Sequence, residues 1–183
     1  MGKTLLLALA ALFAVPSVTT VSATVAAPFT LSSPAFRYGA PLSVANEYGG
    51  GMGCHGGNMA PRLTWSGVPT GTRGFALTVV DPDVKAVPNG LVHWVVYNIP
   101  AAWRFMYGNA PFGTTGGTSS FGVRSYNGPC PRLHGAPHHY HFTLYALDVS
   151  SIRASGLTRD ALVRVIAGHV LGTAGLIGTF QRP

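Results

Sequence analysis

Gly90-Leu-Val-His-Trp-Val-Val-Tyr-Asn-Ile-Pro100 is a nearly continuous apolar run rich in valine and bounded by glycine and proline. A run of this length and composition reads as a central β-strand covered on both faces. Strict alternation puts His93, Val95 and Tyr97 on one face and Trp94 and Val96 on the other. A histidine inside such a strand must find a hydrogen-bond partner, since an unsatisfied buried polar group costs about 1 to 3 kcal/mol. A carboxylate is the obvious partner, although an imidazole in such a strand also reads as an ordinary satisfied core residue.

Upstream, Phe75 to Val80 alternates as a strand and runs directly into Asp81-Pro82-Asp83, where proline's fixed φ holds two carboxylates at a strand end. That tripeptide also suits a turn in which aspartate caps its own backbone. Asp81 facing His93 would keep the imidazole partly protonated near neutral pH, so anion binding is expected to strengthen as pH falls from roughly 7 to 5.5. Downstream, Gly128-Pro129-Cys130-Pro131 offers the backbone N–H groups of Gly128 and Cys130 between rigid turns, a geometry that can accept an anion. The next strand, His139 to Leu147, places His138, Tyr140, Phe142 and Leu144 on one side, and His139, His141, Thr143 and Tyr145 on the other.

Shorter strands are expected at Phe29-Thr-Leu31, Arg62 to Trp65 and Leu176 to Phe180. Residues 105–128 hold six glycines without a clear period and read as a long surface loop. Helical periodicity occurs only near the C-terminus. There Thr158 is an N-cap, Asp160 sits in the first turn, and Leu162, Val165, Ile166 and His169 share a face, so a helix of about three turns ending near Gly172 is expected.

Lys3, the apolar stretch Leu5 to Val15 and Val21-Ser22-Ala23 have the form of a cleaved export signal, residues 1–23, with residue 27 as an alternative end. Residues 24–183 then form one domain in a secreted or periplasmic protein. With charged residues at 9%, 24 glycines and 14 prolines, the chain favours many short strands joined by tight turns. The net charge of +7 includes Lys3 and comes mainly from scattered arginines, with no basic run, which points to anionic partners in general and away from nucleic acid. In an oxidising compartment Cys54 and Cys130 favour a disulfide, two buried thiols being the alternative. His55, His93, His134, His138, His139 and His141 lack metal-site spacing, and strand alternation separates them, so neither a metal nor a cofactor is expected. No GxSxG nucleophile motif is present, and no enzymatic activity is expected.

Taken in order, Phe29-Thr-Leu31, Cys54-His-Gly-Gly-Asn-Met-Ala-Pro-Arg-Leu-Thr-Trp65, the Asp-Pro-Asp turn, His93 to Pro100, Gly128 to Pro131, His138 to Asp148, Gly168-His-Val-Leu171 and Gly178 to Arg182 resemble the phosphatidylethanolamine-binding protein family, in its bacterial Raf-kinase-inhibitor-like branch. The resemblance implies a mostly-β sandwich with Greek-key topology and a small anion pocket at one end. Carried onto this chain, the pocket comprises Asp81, Asp83, His93, Gly128, Pro129, His138 and Tyr140. It further implies a non-enzymatic binding protein for phosphate or phospholipid-headgroup-like ligands, with peripheral membrane contact and a kinase or protease as partners. A protein-interaction or protease-inhibitor module with a vestigial pocket is the alternative. The chain departs from the family pattern at Val84-Lys85 in place of Ala-Pro, at Leu91 in place of an aromatic, at Arg132 in place of a second proline, and at His55 in place of an acidic residue. Losing the aromatic at position 91 is expected to weaken packing on a headgroup's apolar part.

Overall fold

The computed structural model describes residues 27–182, so the expected export signal at residues 1–23 lies outside the described residues. Among the described residues no helix is long and apolar enough to cross a membrane. The chain runs β1 (Thr30–Ser32), a 3-10 turn (Val44–Asn46), β2 (Leu63–Ser66), β3 (Gly74–Asp81), β4 (Leu91–Pro100), β5 (Phe105–Met106), β6 (Thr115–Gly116), β7 (His138–Leu147), α1 (Arg159–Ile166) and β8 (Val170–Phe180).

A small antiparallel sheet, ordered β1-β2-β5, packs on a larger one ordered β6-β4-β3-β7-β8. In the larger sheet β7 returns beside β3, giving the spatial order β7-β3-β4-β6 of a Greek key. The main core fills the space between the sheets: Leu31, Leu63, Trp65 and Met106 from the small sheet meet Phe75, Leu77, Val79, Trp94, Val96, Phe142 and Leu144 from the large one. On the opposite face, Ala76, Val95, Tyr97 and Leu147 pack against Ile152 and against Leu162 and Ile166 of α1. The valine-rich run of β4 is thus covered on both sides, as its composition demands.

Several elements differ from their sequence reading. Residues 105–128 are not a continuous loop, because β5 extends the small sheet through Leu63↔Met106 and β6 extends the large one through Val96↔Gly116. The helix has eight residues, just over two turns, and starts where Thr158 accepts a hydrogen bond from the backbone N–H of Ala161. Leu162 and Ile166 are buried, but Val165 is 44% exposed, so the apolar stripe is narrower than the pattern suggests. His169 lies beyond the helix, where its Nδ1 meets Asp148 Oδ1 at 2.9 Å. Strand β8 begins at Val170 and pairs with β7 through Gly172↔Ala146 and Gly175↔Thr143, so Gly172, expected to end the helix, lies within a strand.

Strand β4 carries two register shifts against β3: Val79 pairs with Trp94 while Val80 pairs with Val92, and Phe75 pairs with Ile99 while Leu77 pairs with Val96. His93 is therefore the extra residue of a β-bulge, which breaks the alternation that grouped it with Val95 and Tyr97. Its ring turns instead toward Tyr140, on the inter-sheet side that Trp94 and Val96 share.

Candidate functional site

At the end of the large sheet, β3 delivers Asp81, β4 delivers His93 and β7 delivers His138 and Tyr140. Asp81 is almost wholly buried and uses both carboxylate oxygens. Its Oδ1 accepts the backbone N–H of Asp83 at 2.8 Å, and its Oδ2 accepts Nδ1–H of His138 at 2.6 Å. The turn-capping and histidine-pairing readings of this aspartate are therefore both satisfied, but its imidazole partner is His138. The expected Asp81–His93 hydrogen bond is not formed, because the bulge turns His93 toward the loop after β6.

His93 donates from Nδ1 to the carbonyl of Asn127 at 2.7 Å, while the N–H of Asn127 donates to the carbonyl of His93 at 3.1 Å. Its Nε2 is buried and has no hydrogen-bond partner. Burial pushes the His93 pKa below the ordinary histidine value, outweighing the carbonyls of Asn127 and Gly128 and the charge of Asp81, which pull the other way. Burial thus favours the neutral imidazole, and the bond by which Asp81 was expected to keep it partly protonated is made to His138 instead. Two aromatic rings stand edge-on to it: Tyr140, whose centroid is 5.1 Å away, and Phe121 at 5.3 Å. Phe121 is 36% exposed and Tyr140 only 1%, so Phe121 is the ring on the solvent side. It supplies an aromatic wall that the leucine at position 91 does not. Burial, together with the negative field of Asp81, drives the Tyr140 phenol pKa upward, so this hydroxyl keeps its proton.

Asp83 forms a second histidine pair at the rim, its Oδ2 accepting the backbone N–H of His139 at 2.8 Å and Nδ1–H at 2.9 Å. Partial burial would raise its pKa, but the His139 bonds and the charges of His139 and His138 prevail and hold it below the usual carboxylate value. Lys85, 3.9 Å from Asp83, is highly exposed and adds little.

Gly128 and Pro129 form the wall beside His93, but not as free anion donors. The N–H of Gly128 is taken by Asn58 Oδ1 at 2.8 Å, and the carbonyl of Pro129 accepts the N–H of Tyr48 at 2.9 Å. Packing here is so close that a Cβ at Gly128 would strike the carbonyl of Asn46. Cys54 and Cys130 are joined in a disulfide, Cα to Cα 5.9 Å, two residues beyond Gly128. Three asparagines complete the wall and were not singled out by sequence reasoning. Asn58 holds Gly128, Asn109 bridges Asn58 and Ala60, and Asn46 ties Ser43 to the carbonyl of Met59 while its own carbonyl accepts the Tyr126 hydroxyl. Asn58 has φ +48°, a backbone state in which asparagine is enriched, and its place after Gly56-Gly57 was the available signal in the sequence. Among the described residues no group of three or more His, Cys, Asp or Glu side chains gathers as a metal site would require.

A family model described as phosphatidylethanolamine-binding protein matches residues 32–181. The UPF0098 protein YbcL of Escherichia coli K12 is 38% identical over 165 residues, covering 85% of this chain and 89% of that protein. LppC of Mycobacterium tuberculosis, whose name proposes a lipoprotein, is 41% identical over 172 residues, 91% of this chain and 81% of that one. The crystal structure of YbcL, described as a member of the mammalian PEBP family, superposes with a TM-score of 0.79 at 32% identity, over 86% of this chain and all of that one. The Chlamydia trachomatis homologue CT736 gives 0.75 at 33% identity, over 85% and 98% of the two chains. With the two sheets, the Greek key and the Asp81–His138 pair in place, the chain belongs to the phosphatidylethanolamine-binding protein family, in its bacterial YbcL-type branch.

Proposed function

We propose that this protein is a non-enzymatic, exported binding protein that takes a phosphate or phospholipid-headgroup-like anion at the site ringed by Asp81, Asp83, His93, Gly128, Pro129, His138 and Tyr140. The observation that carries this reading is the partnerless, buried Nε2 of His93 beside a buried aspartate that is already paired. An orphaned polar atom at that depth is costly unless a ligand group completes it. The resemblance of residues 1–23 to a signal and the lipoprotein name of LppC support a secreted or periplasmic location. Titration calorimetry with inorganic phosphate tests the binding. A saturable heat that His93→Ala abolishes is expected, and no heat with the unaltered protein would overturn the reading.

A second reading, a module that docks on a kinase or protease, is favoured by the exposed ridge after β4. There Phe105 and Tyr107 stack with centroids 6.2 Å apart, Arg62 lies over Phe105 at 4.9 Å, and Phe112 is 98% exposed. Partner capture from envelope extracts that survives both His93→Ala and Asp81→Ala would favour docking, whereas loss of capture in both would tie the partner to the anion site.

A further inference from the structure

One peptide group decides which nitrogen of His93 a ligand can meet. The carbonyl of Asn127 and the N–H of Gly128 belong to the same trans peptide and point in opposite directions. The carbonyl accepts Nδ1–H of His93 at 2.7 Å, and the N–H donates to Asn58 Oδ1 at 2.8 Å. Asn58 is itself pinned, its N–H on the carbonyl of Glu47 at 2.7 Å and its carbonyl on Asn109 Nδ2 at 2.6 Å. A carbonyl oxygen can only accept, so with the peptide in this orientation the bond to Asn127 forms only when Nδ1 carries the proton. The fixed peptide therefore makes Nδ1 the protonated nitrogen, and a neutral imidazole then presents a bare lone pair at Nε2.

Among the described residues no group makes a hydrogen bond to that nitrogen. From β3, Asp81 faces the ring but is engaged by His138 at 2.6 Å; from β7 come His138 itself and the Tyr140 phenol; from the loop after β6 comes the apolar Phe121. Burial keeps the imidazole from charging. The missing group is a hydrogen-bond donor, and an oxyanion stripped of protons cannot provide one.

We propose that the site selects a phosphate-bearing ligand that retains a proton, a phosphomonoester monoanion whose P–OH donates to Nε2 of His93. Asn58 sets this preference by holding the 127–128 peptide. The proposal rests on reading the site as an anion site. A phosphodiester such as a lipid headgroup has no P–OH and would set a charged oxygen against the lone pair. Asn58 touches no ligand and is a positioning residue.

The test compares methyl phosphate, methylphosphonate, dimethyl phosphate and glycerophosphoethanolamine by calorimetry from pH 5 to 8. Methyl phosphate should bind about ten- to a hundredfold more tightly than either diester at pH 5, since a diester leaves a buried acceptor unpaired. Its affinity should fall tenfold per pH unit above its second ionisation at about 6. The methylphosphonate profile should break at a higher pH, following the ligand's ionisation rather than the protein's. Asn58→Gly keeps the positive φ but removes the acceptor, and should shrink the monoester preference to under about threefold while His93 loses its single tautomer by nitrogen NMR. Asn58→Asp retains the acceptor and should restore both. Either diester binding within about threefold of methyl phosphate would overturn the selectivity and leave the anion site standing. Retention of preference and tautomer in Asn58→Gly would overturn the role of Asn58. Binding of none of the four probes would overturn the anion-site reading itself. The ligand comparison uses the unaltered chain, so a folding defect in a variant does not remove it.

Discussion

Replacing both Cys54 and Cys130 by alanine should destabilise the domain without dismantling its site. The bond closes a loop with a sequence separation of 76, for which the chain-entropy relation gives about 4.5 kcal/mol of lost stability. A domain of this size loses about 2 to 4 °C in Tm per kcal/mol, so the transition should fall by about 9 to 18 °C. The native loops keep other ties: the N–H of Tyr48 on the carbonyl of Pro129 at 2.9 Å, the N–H of Gly128 on Asn58 at 2.8 Å, and Arg182 reaching the carbonyls of Gly53 and Pro131 and, at 3.8 Å, the carboxylate of Glu47. Removing the bond therefore enlarges the freedom of the unfolded chain more than it alters the fold. Calorimetric melting of the two forms, with phosphate titration at 20 °C, separates these effects. A Tm drop of under about 3 °C would refute the entropic reasoning. Loss of phosphate binding well below the variant's Tm would show that the disulfide shapes the native site.

His93 makes stability depend on pH with a defined sign. Its folded pKa lies below the ordinary 6.5, so stability is fully present above that value and is lost as pH falls from there through the folded pKa, because the unfolded chain takes the proton first. The slope is at most about 1.4 kcal/mol per pH unit for one proton, and His93→Gln should reduce it in denaturant titrations between about pH 6.5 and 5; an unchanged slope would count against a neutral buried imidazole. Asn98, at φ +57°, accepts the N–H of Ile152 at 2.7 Å and donates to its carbonyl at 3.1 Å and to Thr115 Oγ1 at 2.9 Å. Asn98→Ala should therefore cost about 2 to 4 kcal/mol in urea unfolding, and under about 1 kcal/mol would mean water replaces those bonds. Phe121→Ala should speed acylation of His93 by diethyl pyrocarbonate while costing about 1 kcal/mol or less, because the ring is 36% exposed. Protection equal to that of the unaltered chain would place the barrier elsewhere.

Most of the sheet framework follows from alternation and composition. Strands β3, β4 and β7 coincide with their sequence reading to within a residue at either end, because their length and β-branched content leave no competing period. The small strands are another matter. Phe105–Met106 and Thr115–Gly116 are too short to carry a period, and each exists because the edge of a neighbouring strand offers unpaired backbone groups. The helix reading overshot for a related reason: a stripe at helical spacing continues past Ile166 in sequence, but the chain turns at Ala167 and Gly168, whose φ is +85°, to feed β8.

The convergence of Asp81, His93, His138 and Tyr140 at one sheet end was legible, their pairing was not, and one inserted residue accounts for the difference. Perfect alternation in β4 would put His93 on the helix side with Val95, far from the inter-sheet face of Tyr140. The bulge at His93 moves that ring across the sheet, and its Nδ1 then reaches a loop carbonyl 34 residues away in sequence. Asp81, left without His93, finds His138 on the adjacent strand, where alternation had already put it next to Tyr140 on one face. Bulges depend on the register of two strands together, and a pattern read along one strand contains no term for them. The asparagines at 46, 58, 109 and 127 are hidden for the same reason. Each lies in a segment without periodicity and acts through contacts to other segments, so a loop that reads as featureless in sequence holds the groups that fix the protonated nitrogen of His93.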